Sequence, residues 1–375
     1  MARHTFFATC APGLESLLYE EVRALKLGRA EQQVGGVRFE GELRDGCRAN
    51  LWLRTAIRVL LRLERFEVYD GDALYKVVAR HDWSRFLRPD GSLWVQAQSR
   101  ESSLDHTRFI AQRVKDAVVD QLRTEDGVRP SVERENADLR VHVHIWRDRA
   151  TLSVDTSGES LHRRGWRRVQ GRAPLPETMA AAMVLASGWD RRAPLIDPFC
   201  GSGTILVEAH RLAAGAAPCA DRKRFGFETW PIHREGPWRR QVDEARAAVR
   251  STGKTRFLGL DLDRERLEAA RVNAEAAGVG ELLSLERADA REFAPKPGWN
   301  AWVVSNLPFG ERIRGRDMHG LHRAFGAALR ERCQGYRYAL LVGEPALAQA
   351  LALPGARRSI VVLGGTERLL LVGAL

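Results

Sequence analysis

Along the chain, short alternating or continuous apolar runs trade places with stretches in which apolar residues recur every three or four positions, the marks of strands and amphipathic helices. Residues 5–9 are short and β-prone, and Pro12-Gly13 opens a helical pattern of Leu14, Leu17, Leu18, Val22 and Leu25 with acids between them. Residues 37–40 alternate as a strand, a helix is predicted near 48–57, and 58–68 reads as another strand. A second module follows: strand 93–97, helix 105–122 with Phe109, Ile110, Val114, Val118 and Leu122 on its apolar face, then alternating strands 141–146 and 150–155 joined as a hairpin. His142 and His144 share one face of that strand. Two histidines lack the further ligands of a metal site, so a half-exposed strand face accounts for them better.

From Glu177 the pattern becomes helix and buried strand in alternation, which predicts a doubly wound parallel sheet. Helix 177–187 precedes strand 194–197. Strand 257–261, helix 264–277 and strand 282–287 follow, then strand 301–306, a helix near 321–332 and strand 338–342. The end, 359–363 and 368–373 around Gly364-Gly365, reads as a hairpin that makes the last strand antiparallel. Residues 157–175 form a Gly-, Pro- and Arg-rich connector, where few apolar residues are available to build a core. The expected division is 1–60 as a first α+β module, 61–160 as a second, 161–175 as a basic linker and 176–375 as the parallel-sheet domain.

A length of 375 residues suits two or three domains, and 44% hydrophobic with 29% charged residues is ordinary for a globular protein. No apolar run approaches a membrane span, and the N-terminus lacks the pattern of a signal peptide, so a cytosolic protein without a membrane partner is expected. The five cysteines are scattered with no CxxC pair, which offers neither a disulfide framework nor a zinc site. Charge changes the picture more. Lys plus Arg number 59 against 48 Asp plus Glu, a net charge of +11, and the pI is about 9.9. That balance favours a polyanion partner. In the connector, Arg163, Arg164, Arg167, Arg168 and Arg172 surround Trp166, as in an RNA-contact strip where cations meet phosphates and an indole stacks. A solvated linker is the alternative.

Three loops carry candidate chemistry. Asp197-Pro198-Phe199-Cys200-Gly201-Ser202-Gly203-Thr204 joins a strand to a helix, and its glycines let a ligand approach the backbone at the helix N-terminus. It is neither GxGxxG nor a P-loop. The next strand ends in Gly259-Leu260-Asp261-Leu262-Asp263, where such sheets bind a ribose diol, although Asp261 follows far beyond the usual ~20 residues. The excess is an insertion of about 213–255, whose interleaved bases and aromatics (Arg222 to Trp230, Trp238 to Arg240) fit RNA contact or packing over the sheet equally. The third strand ends Arg287-Ala288-Asp289-Ala290, with Asp289 placed to accept from an adenine amino group. Asn306-Leu307-Pro308-Phe309-Gly310 leaves the fourth strand at the ligand-binding edge. The Asn306 side-chain oxygen and the Leu307 carbonyl can both accept from an exocyclic amine, Pro308 stiffens the turn, and Phe309 offers a face to a base.

Taken together, these residues resemble class I S-adenosylmethionine-dependent methyltransferases with an (N/D)PP(Y/F) turn, and more narrowly the THUMP-domain RNA guanine-N2 methyltransferases. The N-terminal half of the bacterial large-subunit rRNA enzymes is most similar. The matching residues run the whole length: Ala11-Pro12-Gly13-Leu14-Glu15, Val114-Lys115-Asp116-Ala117, Asp155 to Gly165, Pro176-Glu177-Thr178, Arg224-Phe225-Gly226-Phe227 and the three loops. The resemblance implies an α/β fold, a Rossmann-like class I methyltransferase domain of seven strands with the last antiparallel, preceded by α+β ferredoxin-like and THUMP modules.

It further implies S-adenosyl-L-methionine as methyl donor and a guanine N2 in 23S rRNA as acceptor. Cofactor contacts then fall to Asp197, Phe199, Cys200, Gly201, Ser202, Gly203 and Thr204, with Asp197, Gly201 and Gly203 on the methionine side. Asp261 serves the ribose and Asp289 the adenine, Leu262 and Ala290 also contact the cofactor, and Asn306 lies beside the cofactor while Asn306, Leu307, Pro308 and Phe309 hold the base. Two departures stand out. The usual Asn-Pro-Pro-Tyr is Asn-Leu-Pro-Phe here, a form also found in related tRNA enzymes, so tRNA is the alternative substrate. The second methyltransferase half of many such proteins is expected to be missing, because the sequence stops after one catalytic sheet. A monomer is expected, and a non-catalytic ribosome-assembly factor is the rival of another class.

Overall fold

One sheet of eight strands and another of seven organise the computed structural model, which describes residues 3–171, 174–296, 298–309 and 317–375. The first sheet arises from β1 (His4–Thr9), α1 (Glu15–Ala24), β2 (Ala30–Gln33), β3 (Gly36–Gly41), α2 (Leu43–Trp52) and β4 (Arg58–Glu67). It continues through α3 (Gly71–Val78), β5 (Ser92–Arg100), α4 (Thr107–Leu122), β6 (Ser131–Val132), β7 (Leu139–Trp146) and β8 (Arg149–Asp155). The strand order is β2-β3-β1-β4-β8-β7-β5-β6. Strand β4 pairs antiparallel with β1 on one side and β8 on the other, so hydrogen bonding is continuous through residues 58–67. Leu18 and Val22 of α1, with Ile110, Val114 and Val118 of α4, bury against the strand residues that alternate inward, such as Phe6, Leu61, Val141 and Val143.

The helix expected near 48–57 starts and ends earlier, as α2. A capping box of Glu42 and Asp45 fixes its start. Past Trp52 the backbone is claimed by Glu21, whose carboxylate accepts from the Arg54 N–H (2.8 Å) and the Thr55 N–H (3.0 Å). Helix α3 had no counterpart in the sequence reading; its sequence signal is the Asp70 cap, which accepts from the Asp72 and Ala73 N–H groups.

The second sheet follows α5 (Glu177–Ala186) and contains β9 (Leu195–Asp197), β10 (Phe257–Asp261), β11 (Leu283–Arg287), β12 (Trp302–Asn306), β13 (Arg337–Val342), β14 (Arg357–Leu363) and β15 (Thr366–Ala374). Between them lie α6 (Thr204–Ala213), α7 (Glu235–Ala247), α8 (Arg264–Ala276), α9 (Met318–Arg332) and α10 (Pro345–Leu351). The order is β11-β10-β9-β12-β13-β15-β14, and β15 runs antiparallel to both neighbours. The strand order reverses between β9 and β12. Ligands of such sheets bind at that switch point, beyond the carboxyl ends of the strands.

Parts of the connector and of the insertion are built into the core, which corrects the expectation of a basic strip around an accessible Trp166. Leu161 and Trp166 are buried, Trp166 at 1% exposure, so its indole has no face for a base. Arg164 is wholly buried: it pairs with Glu208 at 3.4 Å and donates to the carbonyls of Leu161 and Arg54. A cation in that position is a structural strut. In the insertion, Phe225 stacks on Phe227 at 5.5 Å, and Trp238 sets its edge on both. Trp230 meets Phe86 of the N-terminal half at 5.0 Å, and the Phe227 N–H donates to the Thr156 carbonyl (3.1 Å). These aromatics pack, leaving no interleaved RNA face. Gly226 permits a close approach of the insertion to the connector, since a Cβ there would stand 2.8 Å from the Gly158 nitrogen.

Candidate active site

Three loops meet beyond β9, β10 and β12. In the first, Gly201 (φ +52°) and Gly203 (φ +78°) take left-handed conformations that favour glycine. A Cβ at Gly203 would press on the Ala270 Cβ of α8 at 3.2 Å, so this glycine seats the turn on that helix. A Cβ at Gly201 would meet nothing nearer than the Phe199 carbonyl oxygen at 4.0 Å. That position is an open cradle, and a side chain would fill it.

Asp197 ends β9 at 1% exposure. The Ser305 hydroxyl donates to its Oδ1 at 2.5 Å and the Phe199 N–H at 3.2 Å. Burial outweighs these bonds, and with repulsion from Asp261 it pushes the Asp197 carboxyl up to about 7. Burial, with Asp197 and Asp261 alongside, also pushes the Cys200 thiol well up, so Cys200 is a neutral packed group. Asp261 ends β10 and accepts from the Gly201 N–H (3.1 Å) and the Asp263 N–H (3.0 Å), joining two loops through one carboxylate. Leu262 beside it is 42% exposed at the rim.

Asp289, after β11, accepts from the Arg291 N–H at 2.9 Å, and the Arg291 guanidinium grips both its oxygens at 2.5–3.1 Å. The sequence reading gave this carboxylate to an adenine amine alone and missed Arg291. Ala290 is buried beneath it.

Asn306 ends β12. Its Oδ1 is buried and has no hydrogen-bond partner among the described residues. Leaving a buried acceptor unpaired costs about 1–3 kcal/mol, which a ligand N–H would remove. Leu307 is buried, and its N–H donates to the Leu341 carbonyl at 3.0 Å, holding the turn against β13. Phe309 carries the Arg368 guanidinium 4.3 Å from its ring centroid, so one face already has a cation. Its Cβ touches the position where Gly343 would bear a Cβ, a contact only glycine allows. Gly310 lies outside the described residues.

Of the residues that brace these loops, the sequence reading gave Arg167 to RNA and missed Asn273. Arg167 is nearly buried and reaches four groups. Its Nε donates to Glu177 at 2.8 Å, Nη1 to the Ser202 hydroxyl at 3.1 Å, and Nη2 to the Thr204 hydroxyl (2.9 Å) and Leu175 carbonyl (3.1 Å). Asn273 of α8 is fully buried; it accepts from the Arg168 and Val169 N–H groups and donates to the carbonyls of Val169 and Ser202. Arg167 therefore braces the glycine turn and is no RNA contact. Of the expected strip, Arg163 is exposed but paired with Glu159 at 2.8 Å, Arg168 is exposed, and Arg172 lies outside the described residues. Among the described residues of that strip, Arg163 and Arg168 retain the geometry of a surface contact.

Three family models match the chain: the RlmL ferredoxin-like domain over residues 5–60, the THUMP domain over 68–155, and the RMKL-like methyltransferase domain over 164–369. The ribosomal RNA large subunit methyltransferase K/L of Ectopseudomonas mendocina (strain ymp) is 40% identical over 361 residues, 94% of this chain and 50% of that relative. The chain thus spans about half the length of the curated relatives it matches. A possible methylase from Clostridium difficile 630 superposes with a TM-score of 0.91 at 28% identity, covering 100% of this chain and 98% of that one. The protein SMU.472, solved in complex with SAH, gives a TM-score of 0.90 at 26% identity, covering 100% and 98%.

Proposed function

The chain belongs to the RMKL-like methyltransferase family, and from that premise we propose that it transfers a methyl group from S-adenosylmethionine to the exocyclic N2 of a guanine in 23S rRNA. The observation that carries the reading is the buried Oδ1 of Asn306, without a partner among the described residues, at the switch point of the sheet. An acceptor held there is built to receive an amine. The homologues named for large-subunit rRNA, and the THUMP match, support RNA as the substrate.

The site residues fit the cofactor: the open cradle at Gly201, the carboxylate of Asp261 beside it, and the buried Asp197. S-adenosylmethionine, when bound, supplies an electrophilic methyl group. Asn306 accepts one N–H of the base amine, and the Leu307 carbonyl accepts the other. Those two bonds hold the nitrogen and turn its lone pair toward the cofactor side. Phe309, backed by Arg368, gives the base a ring to lie on. No strong base is needed, because the proton leaves after the nitrogen has become cationic. Rate comes from positioning and exclusion of water.

A tritiated-methyl transfer assay with protein-free 23S rRNA and total tRNA tests the reading. Label in 23S rRNA at guanine N2 is expected. Label confined to tRNA would move the substrate to the alternative, and absence of cofactor binding would favour a non-catalytic assembly factor.

A further inference from the structure

Among the described residues, α1, α2 and α4 pack on one face of the eight-stranded sheet. Along β7, Leu139, Val141, Val143 and Ile145 are buried, while Arg140 and His142 are half-buried and His144 and Trp146 are exposed. Pairing with β5 sets Trp94 opposite Arg140 and Arg100 opposite Trp146, so both tryptophans lie on the same uncovered face. On β4, a bulge between Arg62 and Glu64 resets the register: Arg62 and Arg65 both stand opposite β8 positions, Ser153 and Thr151, that themselves oppose His142 and His144. Without that bulge Arg65 would point into the helix layer.

The face carries cations in excess of what its acids neutralise. At its margins Arg38 pairs with Glu40 (2.7 Å), Arg149 with Glu67 (3.5 Å) and Arg58 with the buried Asp155. In the middle, Arg62 lies 4.3 Å over the Phe7 ring, and its guanidinium is pushed down to about 10 by burial and then by Arg65 and Arg38. Burial and then Arg62 push His144 down, and burial and then Arg58 push Arg140 down. Like charges crowded into one patch are relieved by an anion. The tryptophans bound this patch, with Arg134 5.9 Å from the Trp94 ring and Arg147 4.8 Å from that of Trp146.

We propose that this open face is a platform for a single-stranded segment of the RNA substrate, with Trp94 and Trp146 stacking on bases and Arg62, Arg65 and Arg140 taking phosphates. It rests on the RNA substrate argued above. Alternate residues of a strand stand about 6.7 Å apart, close to the spacing of nucleotides in an extended strand, and four-stranded sheets with exposed aromatics bind two or three bases in this way. A duplex presents its phosphates outward and its bases to each other. It therefore cannot use the indoles, and the chemistry of the face selects single strands.

Fluorescence anisotropy of a labelled, unstructured pyrimidine oligonucleotide of about twelve residues, without cofactor, tests the proposal, with a duplex of equal length as comparison. The wild type is expected to prefer the single strand. Trp94→Ala/Trp146→Ala is expected to weaken binding at least tenfold, and Trp146→Phe to retain most of it. Arg62→Gln/Arg65→Gln is expected to reduce the salt slope by about 1.4, whereas Arg23→Gln on the helix side changes neither. Melting temperatures confirm that each variant is folded. Equal affinity of wild type and the double tryptophan variant, or tighter binding of the duplex, overturns the platform and leaves the face to a protein partner. An enzyme inactive on every RNA whose single-strand binding still depends on these residues would sink the proposed methyl transfer and uphold the platform.

Discussion

The Ser305 hydroxyl donates to Asp197 at 2.5 Å and so ties the strand that presents Asn306 to the strand that opens the glycine turn. The proposed base and cofactor sides of the site are thereby fixed to one another through a single buried carboxylate.

That carboxylate predicts a pH dependence. An unfolded aspartate titrates near about 3.9, and Asp197 in the fold near about 7. The folded state holds the proton more tightly, so the stability Asp197 contributes is fully present below about pH 4 and is lost as pH rises through about 7. Asp197→Asn is expected to flatten melting temperature against pH across that window. A cationic ligand group needs the carboxylate, so affinity for S-adenosylhomocysteine falls as pH drops below about 7, by up to tenfold per unit. Calorimetric titration checks this; an unchanged affinity through that range contradicts it.

Arg167 and Glu177 form a pair whose side chains are 8% and 3% exposed. Arg167→Ala strands a buried carboxylate, and the expected loss of stability is about 3–5 kcal/mol. Replacing both residues with methionine is expected to recover much of that loss but not cofactor affinity, since Ser202 and Thr204 still lose their donor. Urea unfolding and cofactor titration on the two variants and the wild type separate the effects.

Trp166→Ala distinguishes packing from RNA contact. The buried indole predicts a loss of about 3–5 kcal/mol in unfolding free energy. A variant as stable as the wild type but weakened in RNA binding would restore the stacking role.

What the sequence made legible, and what it hid, follows from the range of the interactions involved. Strand alternation at 141–146 and the glycine turn at 201–203 are local patterns, and they led to the sheet and to the left-handed glycine loop. The fate of an arginine is not local. Arg164 meets Glu208 and Arg167 meets Thr204 across tens of residues, and both read as members of an RNA-contact strip until those partners are placed. The same holds for Trp238, whose neighbours Phe225 and Phe227 turn a plausible RNA surface into a core. Helix α2 was displaced because Glu21, far upstream, captures the backbone after Trp52. Asn306 stood out because its turn is a local motif, but that its oxygen has no partner among the described residues was visible only in the fold.

The most direct measurement compares methyl transfer and cofactor binding in Asn306→Ala and Asn306→Asp. With Oδ1 removed, transfer to RNA is expected to fall by at least about 100-fold, while the dissociation constant for S-adenosylhomocysteine stays within about threefold of the wild type. Asn306→Asp, which keeps an acceptor, is expected to retain part of the activity. Normal transfer by Asn306→Ala, or a loss explained wholly by failed cofactor binding, would contradict the role of this oxygen in holding the amine.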